Sequence, residues 1–435
     1  MKKRALICGG VVVAVAGILV LRLRFAPPVP VIWQCYIPSG VSNRVIPAST
    51  NDTAYVLAGG QFVAVDRNGK KLWTSPAGVQ IDFPTVVGND GTIYSRGSWS
   101  TNSGVFAFRP DGSLKWKYVV NGIVGTDFDL AIGGDGAVLF GTEARYIVAL
   151  NPNGTEKWRL TTDANVSAPI TTGSGLMFFS GIPNSPGSQT VFCVNSNTAT
   201  RYAAPGGGWY PSELSVDWDE TVYFPGKVPN TMRALNPNGS VKWTYATSTE
   251  MALSAPTIAR DGSLYFKVTG SGIKGCPLCA LSHDGKKKWE LPLGDQICYT
   301  PPVVASDGTL FVVDGDPKLT AVNPDGTIKW VFNPPRKLAF RLPLQIRLKI
   351  PRNWNDLKDL WKIFFPEPQH SFPASPALTS KGILYVGFGA PYNTLYALNV
   401  GVGPDTNSPW PMEMANAQRT RLLAPRPPPS GPAGK

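Results

Sequence analysis

One ten-residue pattern recurs along the whole chain and leaves few folds open to it. Ala-x-[Asp/Asn]-x-x-Gly-x-x-x-Trp fits the stretches from Ala64 to Trp73, Ala149 to Trp158, Ala234 to Trp243 and Ala321 to Trp330. Two further copies change only the third position: Ala107 to Trp116 has Arg109, and Ala280 to Trp289 has Ser282. A degenerate copy ends near Tyr202, and an eighth begins Leu395-Tyr396-Ala397-Leu398-Asn399 without a Trp at the expected distance. Each copy reads as strand, tight turn, strand. Asn and Asp bond their own turn backbone, Pro pre-sets φ, and Gly supplies the left-handed conformation of the reversal.

A second marker precedes each turn, a hairpin signal that opens a short apolar run. It stands as Asp90-Gly91-Thr92-Ile93-Tyr94, Asp261-Gly262-Ser263-Leu264-Tyr265 and Asp307-Gly308-Thr309-Leu310-Phe311, with weaker forms at Asn51-Asp52, Asp135-Gly136, Ser174-Gly175, Asp219-Glu220 and Lys381-Gly382. Each of the resulting eight units holds four short strands. Antiparallel four-stranded units at a period near 40 residues predict an all-β, eight-bladed β-propeller over residues 31–400. Runs such as Leu310-Phe311-Val312-Val313 fit strands covered on both faces.

The missing eighth Trp has a candidate at the start of the chain. Positions 33, 73, 116, 158, 202, 243, 289 and 330 step by 40 to 46 residues, so Trp33 is expected on an N-terminal strand that completes the last blade and removes the open edge. Trp410 is the competitor for that place. Trp33, Trp73, Trp116, Trp158, Trp243, Trp289 and Trp330 are the expected docking residues, each packed between neighbouring blades.

The net charge of +12 suggests nucleic acid, but its distribution argues against it. Residues 1–26 carry five basic residues and no acid, residues 334–371 carry eight against three, and residues 399–435 carry four against two; these segments account for the whole excess. The repeat body is near neutral, without the basic stripe that a nucleic-acid face needs. Lys2-Lys3-Arg4 is followed by an apolar run from Ala5 to Leu21 and then Arg22 and Arg24. Seventeen apolar residues are enough for a short transmembrane helix, and Leu-Arg-Leu-Arg-Phe in place of small residues favours an uncleaved anchor over a cleaved signal peptide. Three charges and the free amino group before the run outweigh the two after it, which keeps the N-terminus cytoplasmic and the propeller extracytoplasmic on a single-pass bacterial membrane protein.

On these residues the repeat resembles the tryptophan-docking repeat of the quinoprotein-type, or PQQ-like, eight-bladed propellers. That family includes pyrroloquinoline quinone (PQQ) dehydrogenases and non-enzymatic, BamB-like bacterial proteins. Its usual motif has one more residue between Ala and Gly, and the shorter Asn-Pro-Asp-Gly turn is more similar to the repeat proteins of bacterial surfaces than to the dehydrogenases. Ser408-Pro409-Trp410-Pro411-Met412 also resembles a segment found beside such propellers. Dehydrogenase activity would imply an acidic base, Ca²⁺ held by Glu and Asn, and in many members an adjacent Cys pair; no Cys-Cys occurs, and no acid can be matched to those roles. The resemblance therefore implies a non-catalytic, membrane-anchored, protein-binding scaffold with no cofactor, the alternative being a PQQ- and Ca²⁺-dependent oxidoreductase.

Function is expected where the repeat is broken. Residues 334–371 form a basic insertion with Arg341, Arg347, Lys349 and Trp354, then a stretch from Asn355 to Phe365 with Leu357, Leu360, Trp361 and Phe364 on one helical face. It is a candidate partner or membrane-surface contact, or a lid packed on the propeller. The family resemblance puts links of this kind on the face where quinoproteins hold their cofactor. Residues 401–435 read as a Pro-rich tail. Of the two histidines, His283 takes a turn slot that Pro324 fills elsewhere, and His370 stands alone, so neither a catalytic triad nor a metal site can be assembled. Cys276-Pro277-Leu278-Cys279 enters a strand rather than a helix and lacks a following His; a local disulfide in an oxidising compartment is the first reading and a pair of free thiols the second.

Overall fold

The computed structural model describes most of residues 29–408; residues 1–28, 336–373 and 409–435 lie outside the described residues, as do shorter links including 40–44, 121–129, 204–213 and 295–299. Eight antiparallel sheets follow one another around a ring. Blades 1 to 7 occupy residues 45–74, 80–120, 130–161, 164–203, 215–246, 252–291 and 303–332. Blade 8 takes three strands from residues 377–399 and its outer strand from Val31–Tyr36. In blades 4 and 6 the inner strand is split, and both pieces pair with the second strand.

Burial follows position in the blade. Inner strands such as Val138–Gly141 are buried throughout, whereas the outer strand Glu156–Thr161 alternates between exposed and half-buried. A strand between two neighbouring blades has no solvent face, so its residues are apolar on both sides. The core consequently lies in the seams: Phe178 of blade 4, Phe224 of blade 5 and Phe266 of blade 6 belong to one cluster, and Phe311 of blade 7 joins Phe388 and Tyr396 of blade 8 in another.

The ten-residue pattern has one geometry throughout. Its Ala pairs with its Trp, as in Ala64 with Trp73, Ala107 with Trp116, Ala149 with Trp158, Ala234 with Trp243, Ala280 with Trp289 and Ala321 with Trp330, and the register shifts at the following residue. Trp33 pairs with Ala397 in the same way. The closing strand is therefore the one expected from the spacing, and Trp33 completes the last blade. The ring is closed by hydrogen bonds between the two ends of the fold, and blade 8 thereby has four strands like its neighbours.

Each blade has a hairpin end, carrying the turn between its first two strands and the turn between its last two, and an opposite end. Among the described residues no helix is long and apolar enough to cross a membrane. The expected anchor, the insertion with Arg341, Arg347, Lys349, Trp354, Trp361 and Phe364, and the tail beyond Ser408 lie outside the described residues.

Candidate functional site

The features that could carry function lie at the seams, and the tryptophans build those seams. Five of these Trp rest on an aromatic ring of their own blade, Trp73 on Tyr55, Trp116 on Tyr94, Trp243 on Tyr223, Trp289 on Tyr265 and Trp330 on Phe311, at centroid distances of 5.7–5.8 Å, whereas Trp158 packs with Leu139 and Met177. The indole N–H then crosses to the turn of the next blade. Trp73 donates to the Pro110 carbonyl (3.0 Å), Trp116 to Pro152 (2.9 Å), Trp243 to His283 (2.8 Å) and Trp289 to Pro324 (2.8 Å). The Gly of that turn has φ near +90° and faces the ring; a Cβ on Gly112 or Gly154 would stand 2.6 Å from Trp73 or Trp116. Gly69 takes the same place under Trp33.

The residue before Trp, which the pattern leaves unspecified, has a role that the sequence reading missed. Lys115 donates to Thr92 Oγ1 (2.9 Å) and pairs with Asp90 (3.3 Å), reaching from the outer strand to the first hairpin of its own blade. Lys242 does the same with Thr221 and Asp219, Lys288 with Ser263 and Asp261, and Lys329 with Thr309 and Asp307; Lys157 pairs with Asp135. The signal was present as a Lys before the Trp that recurs together with an Asp in the first hairpin, about 25 residues earlier. At Asp135 the Lys157 bond is the leading cause of a carboxyl held below its usual range. At Asp90, Asp219, Asp261 and Asp307 burial pulls upward most strongly, but the Thr or Ser and Lys hydrogen bonds together outweigh it and the net shift is down.

His283 fills its turn slot as expected and adds contacts that Pro could not make. Its Nδ1 lies 3.1 Å from the Tyr223 hydroxyl and 3.4 Å from Asp217 Oδ2, and its Nε2 lies 2.9 Å from Lys242 Nζ. The imidazole thus bridges Tyr223 and Asp217 on one side and Lys242 on the other. Burial is the main cause of the raised Asp217 carboxyl pKa, and it also raises the Tyr223 hydroxyl.

The cysteine turn matches the second of its two readings rather than the first. Cys276 and Cys279 are free thiols, both buried. Cys279 sits on the strand Leu278–Leu281 and faces the cluster shared with blade 5, while its neighbours Leu278 and Ala280 face the cluster shared with blade 7. Residues three apart in an extended run point to opposite sides, which separates the two sulfurs. Burial pushes the Cys279 thiol up to about 12.

Residues 400–408, at the start of the expected tail, run along the hairpin end across three blades. Val400 N–H donates to Gly382 of blade 8, Ser306 of blade 7 donates to the Gly403 carbonyl, and Asp405 N–H donates to Val304. Arg260 of blade 6 grips the buried Asp405 carboxylate through Nε (3.0 Å) and an NH2 nitrogen (2.7 Å), and Ser408 Oγ donates to Ile258. Sequence reasoning did not place this strap, since the Arg260 that holds Asp405 is 145 residues away.

At the opposite end, Lys267 is buried with Nζ on the Val313 carbonyl (2.9 Å), and buried Asp314 accepts from Gly294 N–H (3.0 Å). Among the described residues no group of three or more His, Cys, Asp or Glu is placed to hold a metal ion.

This architecture has known relatives. The chain is 27% identical over 216 residues to the outer membrane protein assembly factor BamB of Burkholderia pseudomallei (strain K96243), a match covering 48% of this chain and 50% of that protein. It thus spans about half the length of that curated relative. Among solved structures, BamB from Moraxella catarrhalis superposes with a TM-score of 0.53 at 12% identity, over 85% of this chain and 99% of that one. A catalytically inactive virginiamycin B lyase from Staphylococcus aureus gives 0.50 at 13% identity, over 82% and 98%. At such identities these likenesses show the propeller alone, and the fold serves an assembly factor and a lyase alike. The sequence itself goes further: residues 30–168 and 228–345 match the family described as outer membrane protein assembly factor BamB, so that the chain belongs to this PQQ-like propeller family.

Proposed function

We propose that this chain is a non-catalytic protein-binding scaffold of the bacterial cell envelope, held to the membrane by its first 26 residues with the propeller on the extracytoplasmic side, and that it serves outer-membrane protein assembly. The family match over residues 30–168 and 228–345 carries this reading, together with a relative named for that role. The chemistry of the described residues is consistent with it. The recurring Asp, Asn, Thr and Lys side chains, which look like site residues one at a time, are bonded to their own turns and hairpins. Binding would then fall to what the ring displays at its ends.

Quinone-dependent oxidation is the second reading. It needs an acidic base and a Ca²⁺ ligand set around a planar cofactor. Lys267 and Asp314, buried at the end away from the hairpins, bond to backbone groups in the seam between blades 6 and 7. Crosslinking in intact cells followed by purification tests the scaffold: one or more envelope proteins should be recovered in stoichiometric amount, and repeated recovery of the protein alone would remove the proposal. Titration of the purified chain with PQQ and Ca²⁺, watched by quinone absorbance and dye reduction, should give no binding; saturable binding with turnover would favour the oxidoreductase.

A further inference from the structure

Of the long segments outside the described residues, residues 1–28 and 336–373 join the ring at different ends. The closing strand Val31–Tyr36 begins at the hairpin end, where the Asn399 N–H donates to the Pro30 carbonyl (2.9 Å), and finishes at the other, where Ile37 N–H donates to Asn393. Residues 1–28 therefore join the propeller at the hairpin end of blade 8. The outer strand Ile328–Phe332 of blade 7 runs away from the hairpin end, and Ala374, where the chain resumes, donates to Gly387 near the opposite end. The insertion thus departs and returns on the side away from the N-terminal segment.

Between Leu21, the last residue of the apolar run, and Val29 stand only seven residues, two of them Pro27 and Pro28. Fully extended they span about 25 Å. A tether of that length holds the hairpin end of blade 8 close to any bilayer that the apolar run enters.

The rim at that place is unusual. In blades 7, 8, 1 and 2, the first or second residue of the outer strand is an exposed aliphatic: Ile328 (51% exposed), Ile32 (46%), Leu72 (50%) and Leu114 (40%). These blades are consecutive around the closure. The arc is bounded by charge, since the corresponding positions are Glu156 and Lys157 in blade 3 and Lys287 and Lys288 in blade 6. Val241 of blade 5 is also exposed but stands apart from the arc. In blades 8 and 1, Ile32 and Leu72 occupy the slot that Lys fills in blades 2, 3, 5, 6 and 7. The acid that would pair with such a Lys is gone as well, with Lys381 and Asn51 in its place. Both halves of the pin are lost where the tether arrives.

Resting on the anchored reading above, we infer that the hairpin-end rim of blades 7, 8, 1 and 2 lies on the phospholipid surface of the membrane that holds the N-terminal segment. Contact with the interfacial region removes the four aliphatic side chains from water, and the short tether makes that contact local. The opposite end, from which the insertion leaves, then faces away from the bilayer.

Site-directed spin labelling of the full chain in phosphatidylethanolamine/phosphatidylglycerol vesicles tests this. Labels are placed at Leu72→Cys, Leu114→Cys and, at the other end of blade 2, Asn102→Cys, in a background where the reactive native cysteines are Ser. Collision with a water-soluble nickel chelate should be at least threefold lower at the two rim positions than at Asn102→Cys, with oxygen collision correspondingly higher. Equal nickel accessibility at all three positions, in protein that floats with the vesicles, would overturn the rim contact while leaving the anchor intact. Protein that fails to float would overturn both.

Discussion

Trp116 lies so closely over Gly154 that a single added Cβ would come within 2.6 Å of the indole. The glycine serves two requirements at once, a φ of +88° that closes the turn and a bare Cα that the neighbouring blade's ring can cover. Gly154→Ala should accordingly cost about 2–3 kcal/mol, combining left-handed strain with overpacking. Gly78, at φ +91° with open space around it, isolates the backbone share, and Gly78→Ala should cost about 1–2 kcal/mol. Urea denaturation midpoints compare the two; equal losses would contradict the docking role.

Truncating the ring on the other side of that contact should cost more. Trp116→Ala is expected to destabilise by about 3 kcal/mol, at the low end for an aromatic truncation because the ring is only partly buried. Trp116→Phe should lose about 1 kcal/mol through the Pro152 hydrogen bond. Trp330→Ala, at the junction with blade 8, should fall near about 3 kcal/mol as well, since its ring packs against Phe311 in the same way.

The hairpin carboxylates fix the direction of the pH dependence. Asp90, Asp135, Asp219, Asp261 and Asp307 titrate below their ordinary values in the folded chain, so they add stability above the unfolded pKa and lose it as pH falls through their folded pKa values. Asp217, raised by burial, works in the opposite direction. Stability should be level from pH 7 to about 5 and fall steeply below about 4, near the ordinary Asp value. Asp135→Asn should shallow that fall, with little effect at pH 7 because its pair with Lys157 is partly exposed. Thermal denaturation across pH for both proteins checks the sign.

The strap makes a prediction about chain length. Asp405 is buried and holds Arg260 in a two-pronged contact, so Asp405→Ala should cost about 2 kcal/mol by leaving that charge-assisted pair broken. Ending the chain at Val400 should lower the denaturation midpoint relative to ending it at Ser408. If the two truncations unfold together, the strap adds nothing to the ring.

Thiol chemistry distinguishes a pair of free cysteines from the disulfide expected at Cys276 and Cys279. Buried, and with its thiol raised to about 12, Cys279 should resist iodoacetamide at pH 8 in the native protein and react once unfolded. Alkylation in denaturant without reductant, read by mass, should modify both residues. A mass two units low with neither modified would restore the disulfide.

The sequence by itself determined the ring. Eight copies of one pattern fix strand count, turn chemistry and blade number, because each Asn, Pro, Asp and Gly acts on backbone within a few residues of itself. Even the closure by Trp33 was legible, since spacing alone identifies the missing member of a periodic set. Groups that meet across long separations were decided only by the tertiary structure. Lys115 finds Asp90 because two hairpins end on one side of a blade, and Arg260 finds Asp405 because the chain returns past blades 8 and 7. The four aliphatics of the rim share an arc only because Val31–Tyr36 closes blade 8 beside blade 1. The cysteine turn misled for the same reason: proximity in sequence suggested a bond, but strand alternation turns Cys279 into one seam and leaves Cys276 outside it. Local chemistry is written in neighbouring residues, whereas surface and contact depend on which distant strands the ring brings side by side.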